Sequence, residues 1–245
     1  MKTSFPIQFL LLFLSLFLFA CGEERANHTQ NDLSQTEVTP EAQEESFHVV
    51  KLSGSNYEIG LQHGQQLKTE IHEMVALWEA DIELNYQLPA EEFISKFLAS
   101  THYVDAIKKW TPHLYEEIKG VSEGSGIQLN KIMMYQLVDE MWNNGGVVFE
   151  AHHCSSIGVD NRSSGGLVNY IAQNVDVTPF YHKYQVLLQI EDEATQTVKY
   201  VVTVPGVIGV NGLNQHLGVN VNTLMDLQLS ASGLPVCCVV RGVLD

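Results

Sequence analysis

Positive charge is scarce in this chain. Its 245 residues include 13 Lys and Arg against 29 Asp and Glu, a formal net charge of −16 at pH 7. Phosphate contacts need a Lys/Arg surface, so nucleic acid is excluded as a partner. Long apolar runs are confined to the first 20 residues, and nothing later approaches the length of a membrane-spanning helix. Spaced Cys/His pairs of the kind that hold zinc are missing, which leaves no metal centre to read. Cysteine is itself rare and limited to Cys21, Cys154, Cys237 and Cys238. No internal repeat is present. What remains is a hydrophobic content of 45%, ordinary for a globular core, on a length that fits one large domain or two small ones.

Residues 1–20 read as a signal peptide. Lys2 supplies a positive start, Phe9 to Phe19 is almost wholly apolar, and small Ala20 precedes Cys21. Leu18-Phe19-Ala20-Cys21 resembles a bacterial lipobox, in which Cys21 becomes the lipidated first residue of the mature protein. Residues 21–46 would then be the lipidated cysteine and a tether. Glu23, Glu24, Asp32, Glu37, Glu41, Glu44 and Glu45 stand there against Arg25 alone, with no aromatic residue, a composition that predicts disorder. The expected location is that of an exported bacterial lipoprotein, held to a membrane through its lipid anchor, in the periplasm or at the cell surface. In an oxidising compartment Cys154, Cys237 and Cys238 form an odd set, so at least one thiol stays free. Cys237 and Cys238 are adjacent in an apolar run. On a strand they would point to opposite faces, so they read as unbonded core residues.

Phe47 to Leu52 alternates as a first strand and Gly54-Ser55-Asn56 is a turn. Tyr57 to Tyr86 reads as one helix, because Leu67, Ile71, Met74, Val75, Trp78 and Ile82 make a single apolar stripe. Gly60 and Gly64 share a face near its start and would permit close backbone approach; His63 between them reads as a packed or capping histidine. Phe93, Phe97 and Leu98 mark the next helix after Pro89. Thr111-Pro112 starts another, carrying Leu114, Ile118 and Val121, and Gly124-Ser125-Gly126 ends it. Asn130 caps a helix with Ile132, Met133, Leu137, Val138 and Met141. Glu116, Glu117, Glu123, Asp139 and Glu140 read as solvated helix faces.

The texture changes at Cys154. Asn143-Asn144-Gly145-Gly146 is turn-rich, and short apolar runs broken by Gly and Asn follow. Ser155 to Val159 pairs with Leu167 to Gln173 across Asn161 to Gly166, Val186 to Glu191 with Val198 to Val204, and Gly206 to Gly212 with Leu217 to Val221. Helices first and an antiparallel sheet second imply an α+β fold. Cys154 opens the sheet half, and a thiol is a strong nucleophile at neutral pH once a base can take its proton.

Five stretches carry a resemblance. Gly54-Ser55-Asn56-Tyr57-Glu58-Ile59-Gly60-Leu61-Gln62-His63-Gly64, Gly120-Val121-Ser122-Glu123-Gly124-Ser125-Gly126, Cys154-Ser155-Ser156-Ile157, Gln173-Asn174-Val175-Asp176 and Gly212 to Asn222 occur in the order of motifs of one family. The chain from Phe47 to Asp245 resembles the acyl-coenzyme A:6-aminopenicillanate acyltransferase (isopenicillin N acyltransferase) family of N-terminal-nucleophile hydrolases, related to choloylglycine hydrolase and acid ceramidase. The resemblance implies an α-β-β-α sandwich and a precursor that cuts itself between His153 and Cys154. Residues 47–153 would be the helical propeptide or α subunit and residues 154–245 the catalytic β-sheet subunit, the two staying paired after cleavage. It also implies that the freed Cys154 attacks a linear carboxamide in a small-molecule or peptide-like substrate, that Asp176 holds the new α-amine, and that Asn222 helps form the oxyanion hole, with Asn220 as a neighbouring possibility. No metal or organic cofactor is called for.

Two features depart from the family pattern. His152 and His153 stand before the nucleophile where members have small residues. Members also continue beyond the position of Asp245 with more sheet, helices and another asparagine motif, so the resemblance implies a C-terminally incomplete chain. The competing readings are a metal site on His152, His153 and Cys154, a papain-like hydrolase using His182 or His216, and a ligand-binding lipoprotein or inactive truncated member of the same fold. Three consecutive strand residues cannot converge on one ion, and the sequence before Cys154 lacks the papain-like signature.

Overall fold

A computed structural model describes residues 48–144, 154–166, 168–193, 196–223 and 230–245. The expected signal peptide, the lipidation site Cys21, the acidic tether and His153 at the expected cleavage bond lie outside the described residues.

Gly54 closes β1 (His48–Gly54) at φ +109°, a left-handed value that favours glycine. Ser55 then caps α1 (Asn56–Gln66) in a capping box, its N–H donating to Glu58 Oε2 at 2.9 Å and its Oγ accepting from the Glu58 N–H. Where the sequence predicts one helix to Tyr86, Leu67 bends the chain and α2 (Lys68–Tyr86) begins. The bend leaves the whole predicted stripe inward: Leu67, Ile71, Met74, Trp78 and Ile82 are no more than 1% exposed. The helical layer continues with α3 (Ala90–Ser100), α4 (Tyr103–Trp110), α5 (Pro112–Ser125), α6 (Leu129–Tyr135) and α7 (Val138–Asn144). The sequence predicts one helix capped by Asn130 for this last stretch. The structure caps α6 with Gln128 and separates α7, because Gln136 at the junction donates to Gly206 O at 2.7 Å and accepts from Ile208 N at 2.9 Å.

The closest helix contact is α1 against α5. A Cβ on Gly60 would lie 1.9 Å from the Glu117 carbonyl oxygen, and one on Gly64 2.5 Å from that of Val121. The relation is reciprocal: Gly120 would meet Tyr57 O at 2.3 Å and Gly124 would meet Leu61 O at 2.3 Å. Only hydrogen fits at these four positions. His63, between the two α1 glycines, is fully buried and accepts from the Gly206 N–H at 3.0 Å through Nε2. Burial, reinforced by the Arg241 charge, lowers its pKa to about 3, so it packs as a neutral imidazole.

The strands among the described residues form two separate sheets, β2 (Cys154–Val159) with β3 (Tyr170–Val175) in one, and β1, β4 (Val186–Asp192), β5 (Thr197–Thr203), β6 (Asn211–Leu213) and β7 (Gly218–Val219), in that order, in the other. The first two hairpins are the predicted ones; in the third, only the end of the predicted Gly206 to Gly212 strand pairs, as β6, because residues 206–208 bond to His63, Gln136 and Arg241 instead. The five-stranded sheet is mixed, however, because β1 returns parallel to β4 while all other neighbours are antiparallel. The connection between those two parallel strands contains the entire helical half, which no local pattern reveals. Val50, Leu188 and Val201 form one cross-strand row, buried against the helices. The opposite face carries Val49, Tyr200, Val202 and Leu213, all exposed. The fold is therefore α+β.

One segment breaks the expected all-sheet second half. Val236–Leu244 is a helix, α8, which begins after Pro235 and buries Cys237, Cys238, Val240, Arg241 and Leu244 on one side. A short apolar run cannot be assigned to strand or helix by periodicity alone, and here the three- and four-residue spacing to Arg241 and Leu244 decides. Cys237 and Cys238 are accordingly free thiols with sulfurs 3.8 Å apart in the core. Glu117 is a second correction. It lies at 0% exposure, bound bidentately by Arg241 at 2.6 and 2.9 Å, while Glu116 and Glu123 stay nearer the surface. Its partner is 124 residues away in the chain, so the local helix pattern could not distinguish it from its neighbours. Lys199 is likewise fully buried, on Asp192 at 2.7 Å and on Asp245. Among the described residues no helix is long and apolar enough to cross a membrane.

Two outcomes follow from this packing. Gly60→Ala should lower stability by about 3 kcal/mol in urea unfolding, because the overpacked methyl drives α1 from α5. Gly242→Ala, which meets nothing within 4 Å, should leave stability unchanged or raise it slightly. The second concerns pH. A neutral imidazole whose folded pKa is about 3 against 6.5 unfolded makes the unfolded chain bind the extra proton between those values. Its contribution is therefore complete above pH 6.5 and is lost as pH falls towards 3. His63→Gln should flatten that acid limb by up to one proton, about 1.4 kcal/mol per pH unit, read from unfolding midpoints across the same window.

Candidate functional site

Cys154 is the first residue of β2 and sits directly across from Val175, the last of β3. Asp176 follows at once, so the hairpin register brings both residues to the same end of the ribbon. Cys154 is half-buried with a free thiol. Asp176 Oδ1 accepts from Asn174 Nδ2 at 3.0 Å. Both residues line a cavity of about 390 Å³, whose other walls include Tyr135, Asp139, Trp142, Tyr181, Val204, Val207 and Thr223. Valine and aromatic side chains make up about half of these walls, and polar groups come both from the ribbon end and from Gln136, Asp139, Gln185 and Asn211.

Asn222 reaches the ribbon from the segment after β7. It is exposed, and its neighbours Val221 and Thr223 line the cavity. Its Oδ1 accepts from Ser156 Oγ at 2.7 Å and from Gln173 Nε2 at 3.1 Å. Asn220, the neighbouring possibility, donates through Nδ2 to the Ala172 carbonyl at 3.0 Å and is thereby occupied with the β3 backbone. The structure thus brings Cys154 and Asp176 to one cavity and ties Asn222 to the face of the ribbon that holds Cys154. His182 and His216 are both exposed and neither lines the cavity. Among the described residues no three His, Cys, Asp or Glu side chains cluster as a metal site requires.

Sequence reading missed two groups beside this cavity. Glu140, taken as part of a solvated face, is half-buried and accepts from the Val236 N–H at 2.8 Å, in the first turn of α8. Burial pushes its pKa up to about 7. Asp139 accepts from Thr223 Oγ1 at 3.0 Å and lines the cavity. Neither partner is near in sequence, and only the helical phase placing them beside buried Met141 hints at an inward position. Ser156 was legible in principle, since on a strand it shares the face of Cys154.

No family model matches the chain. Protein dcd1A of Dictyostelium discoideum is 25% identical over 137 residues, 48% of this chain and 28% of that protein. The chain therefore spans well under two thirds of that relative's length.

Thiol accessibility separates the cysteines. Cys237 is buried, and its hydrogen bond with Cys238 together with that burial pushes its thiol well above the usual range. In folded protein, iodoacetamide should alkylate Cys154 and spare Cys237 and Cys238, which should react only after denaturation; peptide mass mapping reads the order directly.

Proposed function

We propose that this protein is an exported, lipid-anchored, self-processing N-terminal-nucleophile hydrolase with Cys154 as its nucleophile. The observation that carries the reading is the position of Cys154: first residue of a strand, half-buried, on the wall of an apolar cavity that also holds Asp176. The fold is read as the α-β-β-α sandwich of that class. A helical layer against one sheet, a second separate ribbon, and an exposed apolar outer sheet face support this.

In this reading, cleavage of the His153–Cys154 bond gives Cys154 a free α-amine. An α-amine titrates near 8 and serves as a base close to neutral pH, which an amide nitrogen cannot. It takes the thiol proton while the sulfur attacks the substrate carbonyl, and Asp176 holds the amine. Asn222 Nδ2 stabilises the oxyanion. The leaving amine takes the proton back, and water then hydrolyses the thioester. The apolar cavity suits an acyl group with a largely apolar body. Hydrolysis is favoured over acyl transfer, because coenzyme A thioesters are not expected outside the cytoplasm.

The test is intact mass and N-terminal sequencing of protein expressed from Gly22, beside a Cys154→Ala variant. Two fragments from the parent, one beginning at Cys154, and a single uncut chain from the variant are expected. A single stable chain from both would remove the α-amine from the mechanism and favour a non-catalytic, ligand-binding role for the cavity.

A further inference from the structure

A carboxamide donates at one end and accepts at the other, and a partner with only one role settles which end is which. The Val221 carbonyl can only accept. Gln173 donates to it, so the near end of the Gln173 amide is Nε2. The same Nε2 lies 3.1 Å from the Asn222 amide, so the atom that Asn222 turns towards it is Oδ1. The Ser156 hydroxyl donates to that oxygen as well, at 2.7 Å. Nδ2 is thereby left as the donating end of Asn222. Ser156 and Gln173 are direct cross-strand partners, and Ser156 follows Cys154 by two residues on the same face of the ribbon. The polarity of Asn222 is thus inherited from a backbone carbonyl through one glutamine.

We propose that Gln173 is a positioning residue. It fixes the Asn222 carboxamide with Nδ2 available to the oxyanion that forms when Cys154 attacks, and Ser156 is its second support. The inference rests on the reading of Cys154 as nucleophile. Gln173→Glu tests it, because a carboxylate cannot donate to Val221 O and would draw Nδ2 of Asn222 towards itself, reversing the amide.

Processed parent, Gln173→Glu, Asn222→Ala and the double variant would be assayed with a series of acyl 7-amino-4-methylcoumarin amides of increasing acyl length. Rates are expressed per chain beginning at Cys154, and iodoacetamide alkylation of Cys154 is followed in parallel. Gln173→Glu should lower kcat about 100-fold, the size of a lost oxyanion donor, with KM within about twofold. Alkylation should be unchanged, and the double variant should be no worse than Asn222→Ala. Parental kcat in Gln173→Glu, or a double variant whose loss is the product of the single losses, would overturn the inference. Should Gln173→Glu not fold, Ser156→Ala carries the same test: a loss of about fivefold to tenfold, for one hydrogen bond, regained in Ser156→Thr. Its absence would overturn the inference equally. A parent that is cut at Cys154 but turns over no probe is read on the half-time of cleavage, which both variants should lengthen. A parent that is never cut fails without any variant, and sinks the nucleophile reading and this inference together.

Discussion

The contact between α1 and α5 governs much of what lies beneath the cavity. Helices ordinarily pack with axes 8–10 Å apart, and side chains keep them there. Gly60, Gly64, Gly120 and Gly124 let the two backbones touch, with each helix seating its glycines on the carbonyls of the other. That approach carries His63, set between the α1 glycines, far enough to accept from the Gly206 N–H, and it places Glu117 under Gly60 with its side chain directed to Arg241. A methyl group at any of the four positions would disturb these contacts together.

Buried charge then locks the helical half to the end of the chain. The Glu117–Arg241 pair is at 0% exposure on both sides, and Arg241 also donates to Ile208 O at 3.1 Å. Desolvating two charges offsets most of their attraction, so such a pair adds little net stability over an apolar replacement. Breaking it is severe, because one charge is left buried and alone. Its effect is placement. Arg241, His63 and Gln136 all bond to residues 206–208, so this short segment is held from three elements at once. Val207 and Gly209 form part of the cavity wall, so these polar contacts fix the backbone on which that wall is built.

The chemistry-bearing side is built differently. Cys154 and Asp176 come from one hairpin, where pairing geometry alone sets their relation. Asn222 comes from a separate segment and is held through Gln173 and Ser156. The ribbon is much more exposed than the core below it, with Ile157 and Tyr170 both more than half exposed. A buried floor and a solvent-facing ribbon therefore meet at the cavity.

Periodicity was sufficient for much of this. The α2 stripe, the first two hairpins, the close-approach glycines and the packed reading of His63 are each settled by local spacing, because a helix or strand repeats its inward face every few residues. That Cys154 and Asp176 lie at the same end of the ribbon follows from the hairpin between them. Other features depend on partners distant in sequence. Glu117 and Glu116 are adjacent acidic residues on one helix, yet only Glu117 meets an arginine. Glu140 is drawn inward by the first turn of α8, and Val236–Leu244 became a helix where its apolar run also allowed a strand. The parallel pairing of β1 with β4 needed the whole helical half to cross between them. The sequence by itself determined which faces are apolar and which residues could do chemistry. Tertiary structure alone decided which charges are buried, and which amide end faces the thiol's strand, because both depend on partners that no local repeat encodes.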